Sequence, residues 1–186
     1  MKKKIRIFIS ILLTLCIALI SISCAREVET PNLSNEKLEN NQLDIFNFSA
    51  EDLKTGEILG KEILENINII TIWQIECPPC KIEAEGIEDI YKNYPDINFM
   101  GICFADDSDE VLKTMEEWGI SYKNYKMTND FAKSLEDKVT RTPTMFFVDK
   151  EGKELISMEE GLEFPEATPE DVSEFLEEVI KGLENK

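Results

Sequence analysis

The sequence predicts an α/β fold in which helices flank a central mixed β-sheet, with an N-terminal β-hairpin extension. Two local patterns and the order of the elements support it. Ile69–Ile72 is an apolar, β-branched run typical of a buried strand, and Ile82, Ile87 and Ile90 follow it at roughly helical spacing. The remaining patterns continue as strand, helix, strand and helix, and then as two strands and a helix. We therefore expect one sheet in one domain.

The first half of the domain contains the hairpin and the first buried strands. Its predicted elements are a strand around Ile45–Phe48, a turn at Lys54–Gly56, a return strand at Glu57–Leu59, a short amphipathic turn at Lys61–Asn66 and a strand at Ile67–Trp73. The helix that carries Ile82, Ile87 and Ile90 follows this strand, and it is expected to end by Pro95, since proline cannot continue a helix. Ile97–Phe104 alternates too little to be half exposed, so we expect a central parallel strand there.

The second half begins with a helix that Ser108 is predicted to cap and Gly119 to close. The elements expected after it are a strand at Ile120–Tyr125, a helix at Asp130–Asp137, strands at Thr144–Asp149 and Glu154–Met158 joined by a turn at Lys150–Lys153, and a helix from Thr168-Pro169 to about Gly182.

Cys77 and Cys80 form a Cys-x-x-Cys pair where the buried strand gives way to the helix. This spacing lets the second thiol resolve a mixed disulfide made by the first, and a helix start favours a thiolate. Zinc would need about four ligands, and the chain has no histidine and no second such pair. A structural disulfide would close only a short loop and add little stability. Redox chemistry is the favoured interpretation.

A second motif lies far along the chain, where Thr142-Pro143 precedes an apolar strand. With Trp73, the dithiol and Glu83, it resembles the thioredoxin superfamily, in particular the membrane-anchored TlpA/ResA-type thiol–disulfide oxidoreductases, over roughly residues 43–184. The resemblance implies a thioredoxin-like fold, a cis proline facing the dithiol, and a preceding residue that offers backbone hydrogen bonds to an extended substrate. Substrate positioning is assigned to Thr142, Pro143, Trp73, Pro78 and Pro79.

Proton transfer is assigned to Glu83, one helical turn after Cys80, because the chain has no histidine. The resemblance implies a partly buried glutamate there, and burial would raise its pKa. The alternative is an ordinary surface glutamate. Pro78 and Pro79 lack N–H groups, which leaves chiefly the Cys80 N–H for the Cys77 thiolate. With Glu76 beside Cys77, these features disfavour the thiolate and predict a reductant.

The N-terminus has the pattern of an export signal, with basic Met1–Arg6 before uncharged Ile7–Ala25. Cys24 follows a sequence that resembles a lipobox, which implies a signal peptide over 1–23 and lipidation of Cys24. An uncleaved transmembrane anchor is the alternative, since about 20 apolar residues span a bilayer. Polar residues 24–42 form a predicted flexible tether, and 43–186 the domain. We expect an extracytoplasmic, membrane-anchored protein.

The net charge and the absence of histidine exclude or disfavour several classes of function. The formal net charge of −18 disfavours nucleic acid as a partner. The absence of histidine excludes Ser-His-Asp and Cys-His catalysis, histidine metal sites and covalent c-type haem. We expect no metal and no cofactor besides the dithiol. Cys103, inside a predicted strand, is expected to be a buried apolar filler, with a redox-sensitive thiol as the alternative.

The predicted function is reduction of disulfides in envelope client proteins by Cys77 and Cys80. The resemblance implies clients such as apocytochrome c or methionine sulfoxide reductase, and a membrane electron donor of the CcdA/DsbD type. Three alternatives stay open: a disulfide donor, a non-catalytic binding lipoprotein and a peroxiredoxin-like peroxidase. The peroxidase would need a Pro-x-x-x-Thr-x-x-Cys loop, and the residues before Cys77 lack both the proline and the threonine.

Overall fold

The computed structural model describes residues 47–105, 107–136, 138–156 and 167–184. The predicted signal peptide (1–23), the lipidation site Cys24 and the tether (24–42) lie outside these residues. None of the helices in the described ranges has the length and apolar character needed to cross a bilayer.

Seven strands form one mixed sheet in the order β2-β1-β5-β4-β3-β6-β7. The strands are β1 (Ala50–Asp52), β2 (Ile58–Leu59), β3 (Asn68–Trp73), β4 (Asn98–Cys103), β5 (Lys123–Met127), β6 (Thr144–Val148) and β7 (Glu154–Ile156). The helices are α1 (Pro78–Ile90), α2 (Ser108–Trp118), α3 (Asn129–Leu135) and α4 (Pro169–Glu184), with 3₁₀ turns at Lys61–Ile63 and Tyr91–Asn93. The predicted thioredoxin-like α/β fold with an N-terminal hairpin is confirmed.

Strand β3 divides the core into two layers. All six of its residues are buried, and successive side chains point to opposite faces. Ile69 packs in a layer with residues of α1 and α4, whereas Ile70 and Ile72 pack with Phe131 and other residues on the opposite face. Thr71 and Trp73 therefore share the face that carries α1, which is the helix that begins at the dithiol.

The expected central parallel strand is confirmed, because β4 pairs in parallel with both β3 and β5. The two predicted hairpin turns are confirmed as well. Gly56 and Gly152 have φ angles of 70° and 81°, a conformation that glycine adopts without the steric cost of a Cβ.

Several element boundaries differ from the prediction, most clearly those of β1 and β5. Phe48 lies outside any strand, with its ring packed edge-on against Phe131, and β1 begins at Ala50. Ile45 lies outside the described residues. Strand β5 is Lys123–Met127 rather than Ile120–Tyr125, because the β1–β5 ladder extends to Met127 while Ile120 packs in the core.

The helix ends are set by their caps. Helix α2 begins at Ser108, and Asp107 is its cap, since the Asp107 carboxylate accepts from the Asp109 N–H at 2.9 Å. Thr128 caps α3 by accepting from Phe131 N at 3.2 Å, so this helix begins at Asn129 rather than Asp130. It ends at Leu135, and the predicted last residue, Asp137, lies outside the described residues. The predicted closure of α2 by Gly119 is confirmed, with a φ of 71°.

Helix α1 lies very close to α4. A Cβ on Gly86 would lie 2.6 Å from the Pro169 carbonyl oxygen and 2.6 Å from the Val172 Cβ. The Ser173 hydroxyl donates to the Gly86 carbonyl at 3.0 Å. This contact fixes the helix of the dithiol against the body of the domain.

Candidate active site

The two cysteines of the predicted dithiol are joined by a disulfide at the start of α1. Cys77 is the N-cap of the helix and its side chain is partly exposed, whereas Cys80 is buried. An approaching thiol or disulfide therefore meets the sulfur of Cys77. The sulfur of Cys80 is reached only from within the site.

Backbone hydrogen bonding to Cys77 matches the expectation from the two prolines. The Cys80 N–H donates to the Cys77 Sγ at 3.3 Å, and Pro78 and Pro79 have no N–H to offer. Both prolines are exposed on the surface beside the disulfide. A thiolate at Cys77 is consequently stabilised by fewer donors than a helix start ordinarily supplies.

The Thr142-Pro143 peptide bond is cis, and Thr142 faces the dithiol. The Cys77 Sγ lies 3.8 Å from the Thr142 carbonyl oxygen and 3.7 Å from the Thr142 Oγ1. The Thr142 hydroxyl also donates to the Gln74 side-chain oxygen at 3.2 Å. Strand pairing brings these residues together, since β6 runs antiparallel to β3 and so begins where β3 ends.

Glu83 is a buried carboxyl one helical turn beyond Cys80, with a relative exposure of 4 %. The Thr71 hydroxyl donates a hydrogen bond to it from the adjacent strand. Burial raises the pKa of Glu83 from 4.5 to about 7, and the hydrogen bond from Thr71 opposes this rise. The site thus contains a carboxyl that can take up or release a proton near neutral pH.

Trp73 supports the dithiol from inside the protein. It is buried in one cluster with Cys80 and Cys103, its Nε1 donates to the Asn124 Oδ1 at 2.9 Å, and its ring lies 5.2 Å from that of Trp118. Because Trp73 is buried, it can act on a client only through the residues that it packs against.

Sequence reasoning missed two residues of this support, Asn124 and Gly101. Asn124 is buried, and its amide also donates to the Tyr122 carbonyl at 3.2 Å. A Cβ on Gly101 would lie 1.8 Å from the Asn124 Oδ1 and 2.9 Å from the Trp73 Nε1. The available signal was a glycine inside an apolar strand, which often marks a close approach by another group.

Glu76 places a carboxylate next to Cys77 in the sequence, and its backbone conformation is also unusual. It is exposed and has a φ of 59°, a left-handed conformation that is uncommon for residues other than glycine. The loop therefore turns sharply just before Cys77 and directs the Glu76 side chain to solvent.

Cys103 is fully buried, and burial raises the pKa of its thiol to about 12. Such a thiol is almost entirely protonated at neutral pH and is a poor nucleophile. The expectation of a buried apolar filler is confirmed.

The fold and the site together define a thioredoxin-like α/β domain in which the disulfide-bonded Cys77–Cys80 pair lies at the start of α1. The chain belongs to the AhpC/TSA family, whose model matches residues 42–153. No curated protein sequence matches the chain.

Solved structures of low sequence identity share the fold. A putative thiol:disulfide interchange protein DsbE from Chlorobium tepidum is 15% identical with a TM-score of 0.60, and the match covers 77% of this chain and 98% of that one. A secreted Mycobacterium tuberculosis disulfide oxidoreductase homologous to E. coli DsbE is 17% identical with a TM-score of 0.56, covering 72% and 97%. The thioredoxin domain of a Bacteroides vulgatus thiol-disulfide oxidoreductase is 18% identical with a TM-score of 0.59, covering 74% and 96%.

The raised pKa of Glu83 predicts a specific pH dependence of stability. The folded protein keeps the Glu83 proton up to a pH of about 7, whereas the unfolded chain releases it at about 4.5, so the free energy of unfolding falls as the pH rises through this window. Relative to Glu83→Gln, the oxidised wild type should lose about 3 kcal/mol between pH 4 and pH 8. Urea unfolding at several pH values measures the difference. Glu85→Gln, at a more exposed position of α1, is the control, and a pH-independent difference for Glu83→Gln would contradict the assignment.

The contact between Gly101 and Asn124 predicts a second effect. Gly101→Ala should lower the free energy of unfolding by about 3 kcal/mol, because the new methyl group overlaps the Asn124 side chain and breaks its bond to Trp73. Asn124→Ala removes the overlapped atoms, so the double variant should be clearly less destabilised than the sum of the single variants. Simple additivity in denaturant unfolding would show that the two residues do not interact as described.

Proposed function

We propose that this protein is an extracytoplasmic, membrane-tethered thiol–disulfide oxidoreductase of the TlpA/ResA type that reduces disulfides in client proteins. The observation that carries the proposal is the pairing of a partly exposed Cys77 with a buried Cys80, with the buried carboxyl of Glu83 one turn beyond. The Cys77 sulfur is accessible to the client, whereas the Cys80 sulfur is shielded from solvent and reacts only with the mixed disulfide at Cys77.

In the first step, the Cys77 thiolate attacks one sulfur of a client disulfide. A bond forms between Cys77 and that sulfur, the client disulfide breaks, and the departing client thiolate takes a proton. In the second step, Cys80 loses its proton and attacks the Cys77 sulfur. The Cys77–Cys80 disulfide forms and the second client thiol leaves. Two electrons and two protons pass in total from the dithiol to the client.

Glu83 serves the second step as the proton acceptor for Cys80. The Cys80 thiol is buried, so water has little access to its proton. A carboxylate whose pKa is about 7 is a stronger base than an ordinary carboxylate, so it accepts this proton more readily. Thr71 holds the carboxyl in place from β3. Thr142 supports the first step, because its backbone lies beside the Cys77 sulfur and can hydrogen-bond an extended client chain.

The reducing direction rests on the environment of Cys77. A thiolate that receives only the Cys80 N–H, with Glu76 as its sequence neighbour, is less stabilised than one at an ordinary helix start. Weak stabilisation of the thiolate favours the disulfide form of the pair, which lowers its reduction potential. The oxidised protein would then be reduced again by a membrane thiol donor of the CcdA/DsbD type.

The setting of the reaction is proposed from the sequence. Lipidation of Cys24 would anchor the protein, with an uncleaved N-terminal segment as the alternative, and residues 24–42 would tether the domain. Clients of the kind expected are apocytochrome c and methionine sulfoxide reductase. The acidic net charge of −18 argues against nucleic acid as a partner.

A peroxidase is the second candidate, favoured by membership of the AhpC/TSA family. The loop before Cys77 argues against it, because it has neither of the two residues that a peroxiredoxin-like site would need. Consumption of hydrogen peroxide without any disulfide client distinguishes the two activities. The reduction potential distinguishes a disulfide donor from the proposed reductase, and trapping of a client distinguishes a non-catalytic lipoprotein from it.

The reduction potential of the Cys77–Cys80 pair tests the direction. In the full-length protein, equilibrated with glutathione and dithiothreitol buffers, we expect about −250 mV or lower. Pro79→Ala supplies a new N–H at the helix start and should raise the potential by roughly 20–40 mV. Pro95→Ala, at an exposed proline away from the dithiol, is the control. A wild-type potential near −120 mV would instead indicate a disulfide donor.

Trapping of client proteins tests the order of the two cysteines. Cys80→Ser should accumulate a mixed disulfide between Cys77 and an added disulfide-bonded client, because the resolving thiol is absent. The double variant Cys77→Ser/Cys80→Ser, which retains Cys16, Cys24 and Cys103, measures the background on non-reducing gels. Equal trapping by the two proteins would refute the catalytic role of Cys77 and leave the binding lipoprotein as the better interpretation.

A further inference from the structure

Asn124 lies in β5, two strands away from β3, yet its side chain reaches the end of β3. The register of the sheet places Thr71 of β3, Gly101 of β4 and Asn124 of β5 side by side in one row. Because Gly101 has no side chain, the Asn124 amide extends across β4, and its Oδ1 accepts the Trp73 Nε1–H at 2.9 Å. The Asn124 Oδ1 occupies the space that a Cβ on Gly101 would take, since the two atoms would lie 1.8 Å apart.

The hydrogen bond from Trp73 to Asn124 fixes the orientation of an indole ring. Asn124 is buried, and its amide nitrogen donates to the Tyr122 carbonyl at 3.2 Å, so both ends of the amide have partners and the amide has one orientation. The indole N–H is a donor only and has a single direction in which to donate. Since the acceptor is held in place, the rotation of the Trp73 side chain is held as well.

The Trp73 ring belongs to the packing around the resolving cysteine. Trp73 and Cys80 are buried in the same apolar cluster, whereas Cys77 is only partly buried there. The Cys80 sulfur is shielded from solvent, so it can take only the positions that its packed neighbours leave open. The Cys77 sulfur lies at the N-cap of α1, beside Thr142, and is reached from outside. A displaced Trp73 ring should therefore affect Cys80 more than Cys77.

We propose that Asn124 is a positioning residue for the resolution of the mixed disulfide, and that it acts through Trp73. By holding the indole over Gly101, it keeps the packing around Cys80 in the arrangement from which this sulfur attacks Cys77. A displacement of about 1 Å between reacting atoms can cost a large factor in rate, so loose packing at this point slows the attack. This role rests on the proposed disulfide reductase function and belongs to its second step.

The two steps are observed separately with dithiobis(nitrobenzoic acid), a small aromatic disulfide. The Cys77 thiolate attacks one of its sulfurs, forms a mixed disulfide and releases one thionitrobenzoate. Cys80 then loses its proton and attacks the Cys77 sulfur, the mixed disulfide breaks, and a second thionitrobenzoate leaves. The reduced full-length protein carries Cys16→Ser and Cys24→Ser in every case, so that Cys77, Cys80 and the buried Cys103 are the remaining thiols.

Asn124→Leu replaces the amide with an apolar group of nearly the same shape. It should slow the second release about tenfold and change the rate constant of the first by less than about twofold. Asn124→Ala should slow the same step, and so should Gly101→Ala, which keeps Asn124 but places a Cβ where its Oδ1 lies. Stopped-flow absorbance with excess reagent follows both releases, and circular dichroism checks that each variant is folded. A second release at the wild-type rate in these variants would overturn the proposal.

A double-variant cycle tests whether the effect passes through Trp73. Trp73→Phe removes the N–H that Asn124 accepts, so adding Asn124→Leu to it should slow the second release no further. A merely structural role of Asn124 would not produce this dependence. An equal slowing by Asn124→Leu in the Trp73 and the Phe background would therefore contradict the proposed role.

Asn98→Leu is the matched control. Asn98 is as buried as Asn124, at 8 % exposure for each, and it donates to the Ile63 carbonyl at 3.0 Å. It begins β4, at the opposite end of that strand from the dithiol, so its loss should destabilise the fold without touching Trp73. Asn98→Leu should keep the wild-type ratio of the two rate constants. An equal fall of the ratio in this variant would assign the effect to a general loss of stability and refute the positioning role.

Failure of the proposed function gives a different result from failure of the positioning role. If the protein with Asn124 and Gly101 intact releases only one thionitrobenzoate, Cys80 does not resolve the mixed disulfide and the reductase mechanism is wrong. Two releases in that protein, with unchanged rate constants in the Asn124 and Gly101 variants, would leave the reductase mechanism in place and refute only the role of Asn124.

Discussion

The hydrogen-bonded ladders on either side of β3 are the constraint on which the site depends. Parallel pairing with β4 sets Trp73 opposite Cys103, and antiparallel pairing with β6 sets Ile72 opposite Thr144. The end of β3, the end of β4 and the beginning of β6 consequently meet at one edge of the sheet. The dithiol loop, Phe104 and the cis proline all follow or precede those strands directly, so the register alone brings them together.

The second constraint is electrostatic. Burying an unpaired carboxyl costs free energy whenever it is ionised, and the protein limits this cost at Glu83 with one hydrogen bond from Thr71. A group placed only for stability would be apolar at this position. The carboxyl lies one helical turn beyond a cysteine that is itself buried, and its pKa is raised to about 7. The free energy lost by burying it is therefore consistent with a role in proton transfer.

Much of the site could be predicted from the sequence, because its signals are local. The Cys-x-x-Cys spacing, the prolines that remove donors and the glutamate one turn later all act within a few residues of each other. The Thr142-Pro143 motif was found because it resembles a known pattern. The hairpin turns could also be predicted from the positions of glycine, and the central parallel strand from an uninterrupted apolar run.

The remaining features depend on contacts between distant segments. Asn124 and Gly101 support Trp73 only because their strands are neighbours in the sheet. No short sequence pattern predicts that a buried amide will accept a hydrogen bond from a tryptophan ring. The start of β1 and the bounds of β5 were set by mutual pairing and by the Phe48–Phe131 contact, which override local hydrophobicity.

The close contact at Gly86 also has a consequence for how the protein is made. The dithiol begins a helix whose packing partner, α4, is contributed by a segment far downstream, with Ser173 separated from Gly86 by 87 positions. During synthesis, Cys77 and Cys80 therefore emerge well before the element that seats their helix. Closing so long a loop is slow compared with forming local structure, so the nascent chain exposes both thiols for an interval in which an early oxidant could mispair them. The order of segments along the chain thus makes the timing of oxidation part of reaching the folded state.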